Sequence, residues 1–266
     1  MKRLITLSCL IMLVLITGCK KDKGDPPVLP PEESMIIDFS NFEGGKSADL
    51  TGIKGTENSS WEFAAVAAIW WKSVIVATVA VPVTAFQMVI DQNAEYVSEK
   101  TWQWSYTATI AQATYKARLT GHLLDSDVEW KMYITKEGTG GFTDFLWFEG
   151  TSAFDGKSGT WTLYLSNTNP IPVLEINWEK PADNQGSIKY TYVKNDAFKN
   201  SYIQYGLTAN TLNAYFTIHY WKDVKFSDVN IEWNTTVHNG RVKSIDYLGD
   251  DQWHCWDANK VNVNCQ

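Results

Sequence analysis

The chain has 266 residues, 44% hydrophobic and 20% charged, which is too apolar for disorder and within the size range of one all-β domain. A net charge of −7 and an isoelectric point near 5.1 argue against a nucleic-acid partner, because a phosphate-binding face needs clustered Lys and Arg. The unusual quantity is the aromatic content: 13 Trp, 12 Tyr and 11 Phe.

Residues 1–18 read as a signal peptide, with Lys2 and Arg3 as the positive start and Leu4 to Ile16 as an apolar run short for a membrane span. The run ends Ile16-Thr17-Gly18-Cys19, which resembles the lipobox of bacterial lipoproteins. That resemblance implies cleavage before Cys19, acylation of Cys19 and loss of Cys9 with the signal. The bland alternative is an ordinary secretory signal cut elsewhere. Residues 19–34 then form the lipidated Cys and a Pro-rich tether (Pro26, Pro27, Pro30, Pro31), expected to be extended, semi-rigid and outside the fold. Lys followed by an acid just after Cys19 partly resembles surface-export signals, so either face of the outer membrane is open.

The folded domain is expected over 35–266. Met35 to Phe39 reads as a short first strand and 43–58 as a loop. Ser59 with Glu62 three residues on is a capping box, opening helices near 59–91. Pro82 suits the first turn of a second helix. Ser73 to Ile90 is apolar enough to raise a membrane-inserted reading, but its polar residues and Pro82 favour a buried helical pair.

After Lys100 the pattern changes to period 2. Trp102, Trp104 and Tyr106 alternate with polar residues, as do Val128, Trp130 and Met132, Ile176 and Trp178, and Ile231 and Trp233. Asn239-Gly240 is a strong hairpin signal, with weaker ones at Asp155-Gly156 and 183–186. About ten strands with one apolar face imply a mainly β, antiparallel up-and-down meander. It must close into a barrel or strongly curved sheet, with the N-terminal helical segment packed against or plugging it. The phrase apolar-polar-Trp recurs at Val128, Ile176 and Ile231, which plain alternation can explain.

Catalytic motifs are absent: there is no HExxH, GxSxG, P-loop or GxGxxG. His122, His219, His238 and His254 fall on separate elements. His219 shares a face with Tyr215, Thr217 and Trp221 and is expected to point inward as a satisfied core residue. Asp125-Ser126-Asp127-Val128-Glu129 reads as a turn, with calcium as the alternative. Glu129, Glu175 and Glu232 are expected to face water. Cys255 and Cys265 are left after Cys19 and most simply form a disulfide in an oxidising compartment. A zinc site with His254 and Asp257 would lack a second Cys pair. No cofactor or metal is implied. Most rings follow the apolar phase and are expected in the core. Trp147, Trp253 and Trp256 remain as candidate exposed aromatic contacts.

At Cys19, at Glu33-Ser34-Met35-Ile36-Ile37-Asp38-Phe39 and at His254-Cys255-Trp256-Asp257, the chain resembles a group of uncharacterised Gram-negative outer-membrane lipoproteins. The resemblance implies a lipid-anchored outer-membrane protein, on the periplasmic side or the cell surface, and brings no catalytic residues. The leading expectation is a non-enzymatic cell-envelope lipoprotein, a ligand-binding or accessory surface module. Its partners would be the membrane, through the lipid, and a glycan or apolar small molecule. An envelope glycan hydrolase using paired carboxylates and a structural component of an outer-membrane complex stay open.

Overall fold

The structure is a computed structural model describing residues 23–45, 59–110, 112–183, 185–222 and 224–265. The lipobox, Cys9 and Cys19 lie outside the described residues.

Fourteen strands among the described residues form one antiparallel sheet in sequence order. They are β1 (Glu95–Ser98), β2 (Thr101–Ile110), β3 (Ala113–Leu123), β4 (Asp127–Lys136), β5 (Phe142–Ala153), β6 (Ser158–Ser166) and β7 (Asn169–Ala182). The sheet continues through β8 (Gln185–Tyr192), β9 (Tyr202–Leu207), β10 (Ala214–Lys222), β11 (Lys225–Trp233), β12 (Gly240–Lys243), β13 (His254–Trp256) and β14 (Asn262–Val263). The expected meander is present. The strands beyond the expected ten include β1, β12, β13 and β14, which at two to four residues are too short for period 2 to register. The edge strands β1 and β14 do not pair with each other, and the sheet is not closed.

One face is buried along every long strand, and it holds the tryptophans as expected: Trp102, Trp104, Trp130, Trp161, Trp178 and Trp233 are all at most 5% exposed, and Tyr106 is half-buried. Their cross-strand partners explain the recurring apolar-polar-Trp phrase. In register across β2 to β6 run Trp102, Gly121, Trp130, Gly150 and Trp161, so rings and glycines alternate. A Cβ at Gly121 would sit 2.6 Å from the Trp130 ring, and one at Gly150 would sit 2.7 Å from Trp161. Trp178 likewise faces Gly159, and Trp233 faces Gly240. A full indole fits over the inner face only where its neighbour has no side chain.

The helix α1 (Ser59–Ile90) lies within this curl. It touches β2 and β3 near one edge and β12, β13 and β14 near the other. Fourteen strands laid flat would span roughly 65 Å at about 4.8 Å per strand, so one helix can reach both edges only if the sheet curves strongly around it. At its start Asn262 accepts from the Ser60 backbone N–H (3.0 Å) and donates to Ser59 Oγ (2.9 Å), which fixes the helix to β14. The helix bends by 73° between Ser59–Val76 and Ala80–Ile90. Pro82 falls in the first turn of the second half, where its missing N–H costs least. Thr78 Oγ1 donates back to the Val74 carbonyl at 2.7 Å, which loosens the ladder there. No single helix among the described residues is long and apolar enough to cross a membrane, although the bent pair passes by length and composition. Trp61, Phe63, Trp71, Phe86 and Val89, from both halves, are buried in the core.

The N-terminal segment departs from expectation twice. Met35 to Phe39 is no strand, because its backbone lies between two short 3-10 turns (Glu32–Ser34 and Ser40–Phe42). The described part of the supposed tether is also packed onto the domain: Pro27, Pro30 and Ser34 are buried. This strap, residues 23–45, meets the strands nearly in order. The Lys23 ammonium lies 5.2 Å from the Tyr96 ring on β1, and Val28 packs where Gly156 turns between β5 and β6. Lys180 on β7 pairs with Glu33 at 2.8 Å and holds that carboxyl below its usual range. Trp161 donates to Ser34 Oγ (3.3 Å), and buried Tyr190 donates to the Met35 carbonyl. Phe39 then packs on Phe216, and Phe42 on Phe216, Trp233 and Trp256. The Pro-rich composition suggested a free leash, but Pro27 and Pro30 are apolar surface that the domain covers.

Cys255 and Cys265 are disulfide-bonded, as expected, joining β13 to the C-terminal tail. The helix α2 (Ile245–Leu248) sits between β12 and β13.

Candidate functional site

Small residues on α1 create the candidate site. The run Phe63-Ala64-Ala65-Val66-Ala67-Ala68 lets the helix approach the strap closely, and a Cβ at Gly45 would meet that of Ala65 at 2.7 Å. Bulk returns at Trp70 and Trp71, whose rings pack edge to face at 5.3 Å. Between this helix and β10, β11 and α2 a cleft of about 350 Å³ remains open. Its walls include Phe63, Trp70, Ile218, Tyr220 and Tyr247. Tyr220 and Tyr247 stack at 6.0 Å, and Phe63 lies 5.3 Å from Tyr247. Trp70 forms an exposed rim at 45% exposure. The Trp71 indole N–H, on a side chain 1% exposed, has no hydrogen-bond partner among the described residues. Burial pushes the Tyr247 hydroxyl up to about 12, so it stays a neutral phenol at ordinary pH. The cleft is an apolar slot with few polar groups, the usual chemistry of a small-molecule site.

A second recess of about 200 Å³ lies between the strap and β7 to β9. It is lined by Glu33, Asp38, Trp178, Lys180 and Tyr205 among others.

None of the three candidate aromatic contacts lines the cleft. Trp256 corrects the expectation, being 1% exposed, donating to the His238 carbonyl at 2.9 Å and filling the space above Gly240. Trp253 is half-buried, with Arg241 4.3 Å and Lys243 5.4 Å from its ring, so cations already cover it. Trp147 is the extra residue of a β-bulge, since Met132 pairs with Phe148 and Tyr133 with Leu146. The bulge is why that run was apolar on both faces, and Trp147 packs half-buried against Phe142 and Phe145. His219 also differs from expectation. It faces outward, stacked between Tyr202 and Phe226, with Nδ1 2.6 Å from Asp228. The inward phase of β10 belongs to Phe216 and Ile218.

Among the carboxyls, Glu33, Asp196 and Asp250 are held below their usual range, Glu33 chiefly by its bond to Lys180. Glu129 pairs with Lys131 at 2.9 Å and Glu232 with Arg241 at 2.6 Å, while Glu175 is exposed. Among the described residues no three His, Cys, Asp or Glu side chains gather as a metal site. Asp125 to Glu129 forms the β3–β4 turn and the start of β4.

Tyr247 belongs to a set with a measurable consequence. Hydroxyls are pushed up to about 12 at Tyr164, chiefly by its hydrogen bond to Glu149, at Tyr192 by burial and then Asp196, and at Tyr205 by burial and then Asp38. A raised phenol favours the protonated form in the folded chain. Its contribution to stability is therefore complete below the unfolded value near 10 and is lost as pH rises towards 12. Spectrophotometric titration of the folded chain should show a group of phenolates forming above the unfolded value near 10, with stability falling across that window. All twelve ionising together near pH 10 in a folded chain would contradict it.

Missed at the level of sequence were Phe63, Trp70, Trp71, Tyr220 and Tyr247, which look like ordinary core residues until the helix is placed against β10. Comparison with known protein families, curated proteins and solved structures finds no match to this chain.

Proposed function

We propose that the chain is a non-enzymatic, lipid-anchored lipoprotein of the outer membrane that binds a small apolar ligand in the cleft between α1 and β10–β11. The cleft carries this reading: about 350 Å³ walled by Phe63, Trp70, Ile218, Tyr220 and Tyr247. Its walls favour an apolar body over a glycan. The sheet acts as an incompletely closed barrel, with α1 and the strap occupying its interior, so the ligand sits at the side of α1 instead of in a central lumen. The lipobox motif supports acylation of Cys19, and the oxidising compartment that this implies agrees with the Cys255–Cys265 disulfide.

A screen of fatty acids, phospholipids, sterols and oligosaccharides against the purified chain tests the reading by melting temperature and Trp emission. An apolar class should raise the melting temperature, by linkage about 2.7 kcal/mol of added stability at a hundredfold excess over Kd. Ala67→Trp, which fills the slot, should abolish the effect. Binding by oligosaccharides alone, or apolar binding that survives Ala67→Trp, would remove the cleft from consideration.

A further inference from the structure

The strap fixes more than the core. Successive turns of an antiparallel meander alternate between the two ends of a sheet, so the β1–β2, β3–β4, β5–β6, β7–β8, β11–β12 and β13–β14 turns share one end. The strap crosses that same end, touching Tyr96, Gly156, Lys180 and, through Asn41, His238 at 2.7 Å. Tyr220 and Trp221, which line the cleft, instead lie beside the β10–β11 turn at the opposite end. Four residue steps lead from Cys19 to Lys23, a reach of at most about 14 Å. A ten-residue strand such as β4 spans roughly 33 Å. The leash is therefore shorter than the domain is tall.

The strap end also carries apolar side chains at its hairpin tips. Val97, Leu124, Phe154 and Val237 are 41–53% exposed, one beside each of the β1–β2, β3–β4, β5–β6 and β11–β12 turns. Lys100, Lys157 and Lys260 stand among them, together with Glu99, Asp125, Asp155 and Asp257. The opposite end carries exposed Phe198, Val224 and Ile245 as well. It is therefore the short reach from Cys19 that sets which end meets lipid, and the apolar tips of the strap end then suit the boundary between headgroups and acyl chains.

We infer that the strap end rests on the lipid surface that receives the acyl chains of Cys19, with the cleft turned away from the membrane. The inference rests on the proposed acylation. It replaces a domain swinging on a long tether with one seated on the bilayer by Val97, Leu124, Phe154 and Val237.

The test uses the full lipoprotein in vesicles of phosphatidylethanolamine and phosphatidylglycerol containing a headgroup-nitroxide lipid. Val97→Cys, Leu124→Cys and Val224→Cys, the last at the β10–β11 turn, each receive an environment-sensitive fluorophore. All three sites are exposed, and far-UV circular dichroism checks folding. Probes at 97 and 124 should be quenched several-fold more than the probe at 224. Equal quenching, or stronger quenching at 224, would overturn the orientation while leaving the anchor intact. An intact mass without acyl chains on Cys19 would overturn the anchor, and the orientation with it.

Discussion

Gly150→Val is expected to cost at least about 3 kcal/mol, at the upper end of overpacking in a close-packed core. Gly150 lies in β5 between Trp130 and Trp161. A Cβ there would meet the Thr160 backbone carbonyl as well as the Trp161 ring, and backbone cannot swing aside as a side-chain tip can. Urea unfolding should show a large loss of midpoint, whereas Thr107→Val on the outer face of β2 should stay within about 0.5 kcal/mol. Adding Trp161→Leu to Gly150→Val should recover part of the loss, because it relieves the ring clash and leaves the carbonyl clash. Strict additivity of the two losses would mean that ring and glycine are not coupled.

Phe42→Ala is expected to cost about 3–5 kcal/mol, the range for removing a fully buried aromatic ring. Phe42 has no solvent exposure and lies 4.9 Å from Trp233, 5.7 Å from Phe216 and 6.5 Å from Trp256. It is where the strap enters the core. Beyond the loss in chemical unfolding, brief proteolysis should cut the variant within residues 23–45 before the strands are touched. A loss under about 1 kcal/mol would make the strap an appendage, since surface substitutions have that size.

The sequence made the strands legible because period 2 with one dry face leaves a trace at every second residue, and β2, β4 and β11 show it plainly. The helix start near Ser59 and the restart at Pro82 also correspond to features of α1, although Ser59 Oγ accepts from Asn262 and already lies within the helix. The strap was not legible. Its burial depends on Ser34, Met35, Phe39 and Phe42 meeting residues more than a hundred positions away, and nothing local separates a covered Pro-rich segment from a solvated one. Trp147 misled because a bulge breaks the phase on which the reading depended. Trp256 misled because its cover comes from Gly240, recognisable as its partner only once the register of β12 and β13 is known. The cleft had no signal of its own. It is a space left beside Ala67, and space is set by what stands opposite.

The hydrogen bonds that hold the strap and α1 span very long stretches of chain. Ser34 to Trp161 is separated by 127 residues, Met35 to Tyr190 by 155, Asn41 to His238 by 197 and Ser60 to Asn262 by 202. Each closes a loop whose entropy must be lost before its contact contributes anything. The strap and the start of α1 are therefore among the last segments to find all their partners, and without β14 the start of α1 has nowhere to be fixed. Topology of this kind folds slowly. Until β14 exists, the start of α1 lacks the partner that fixes it, even though its later turns already have β2 and β3 to pack against.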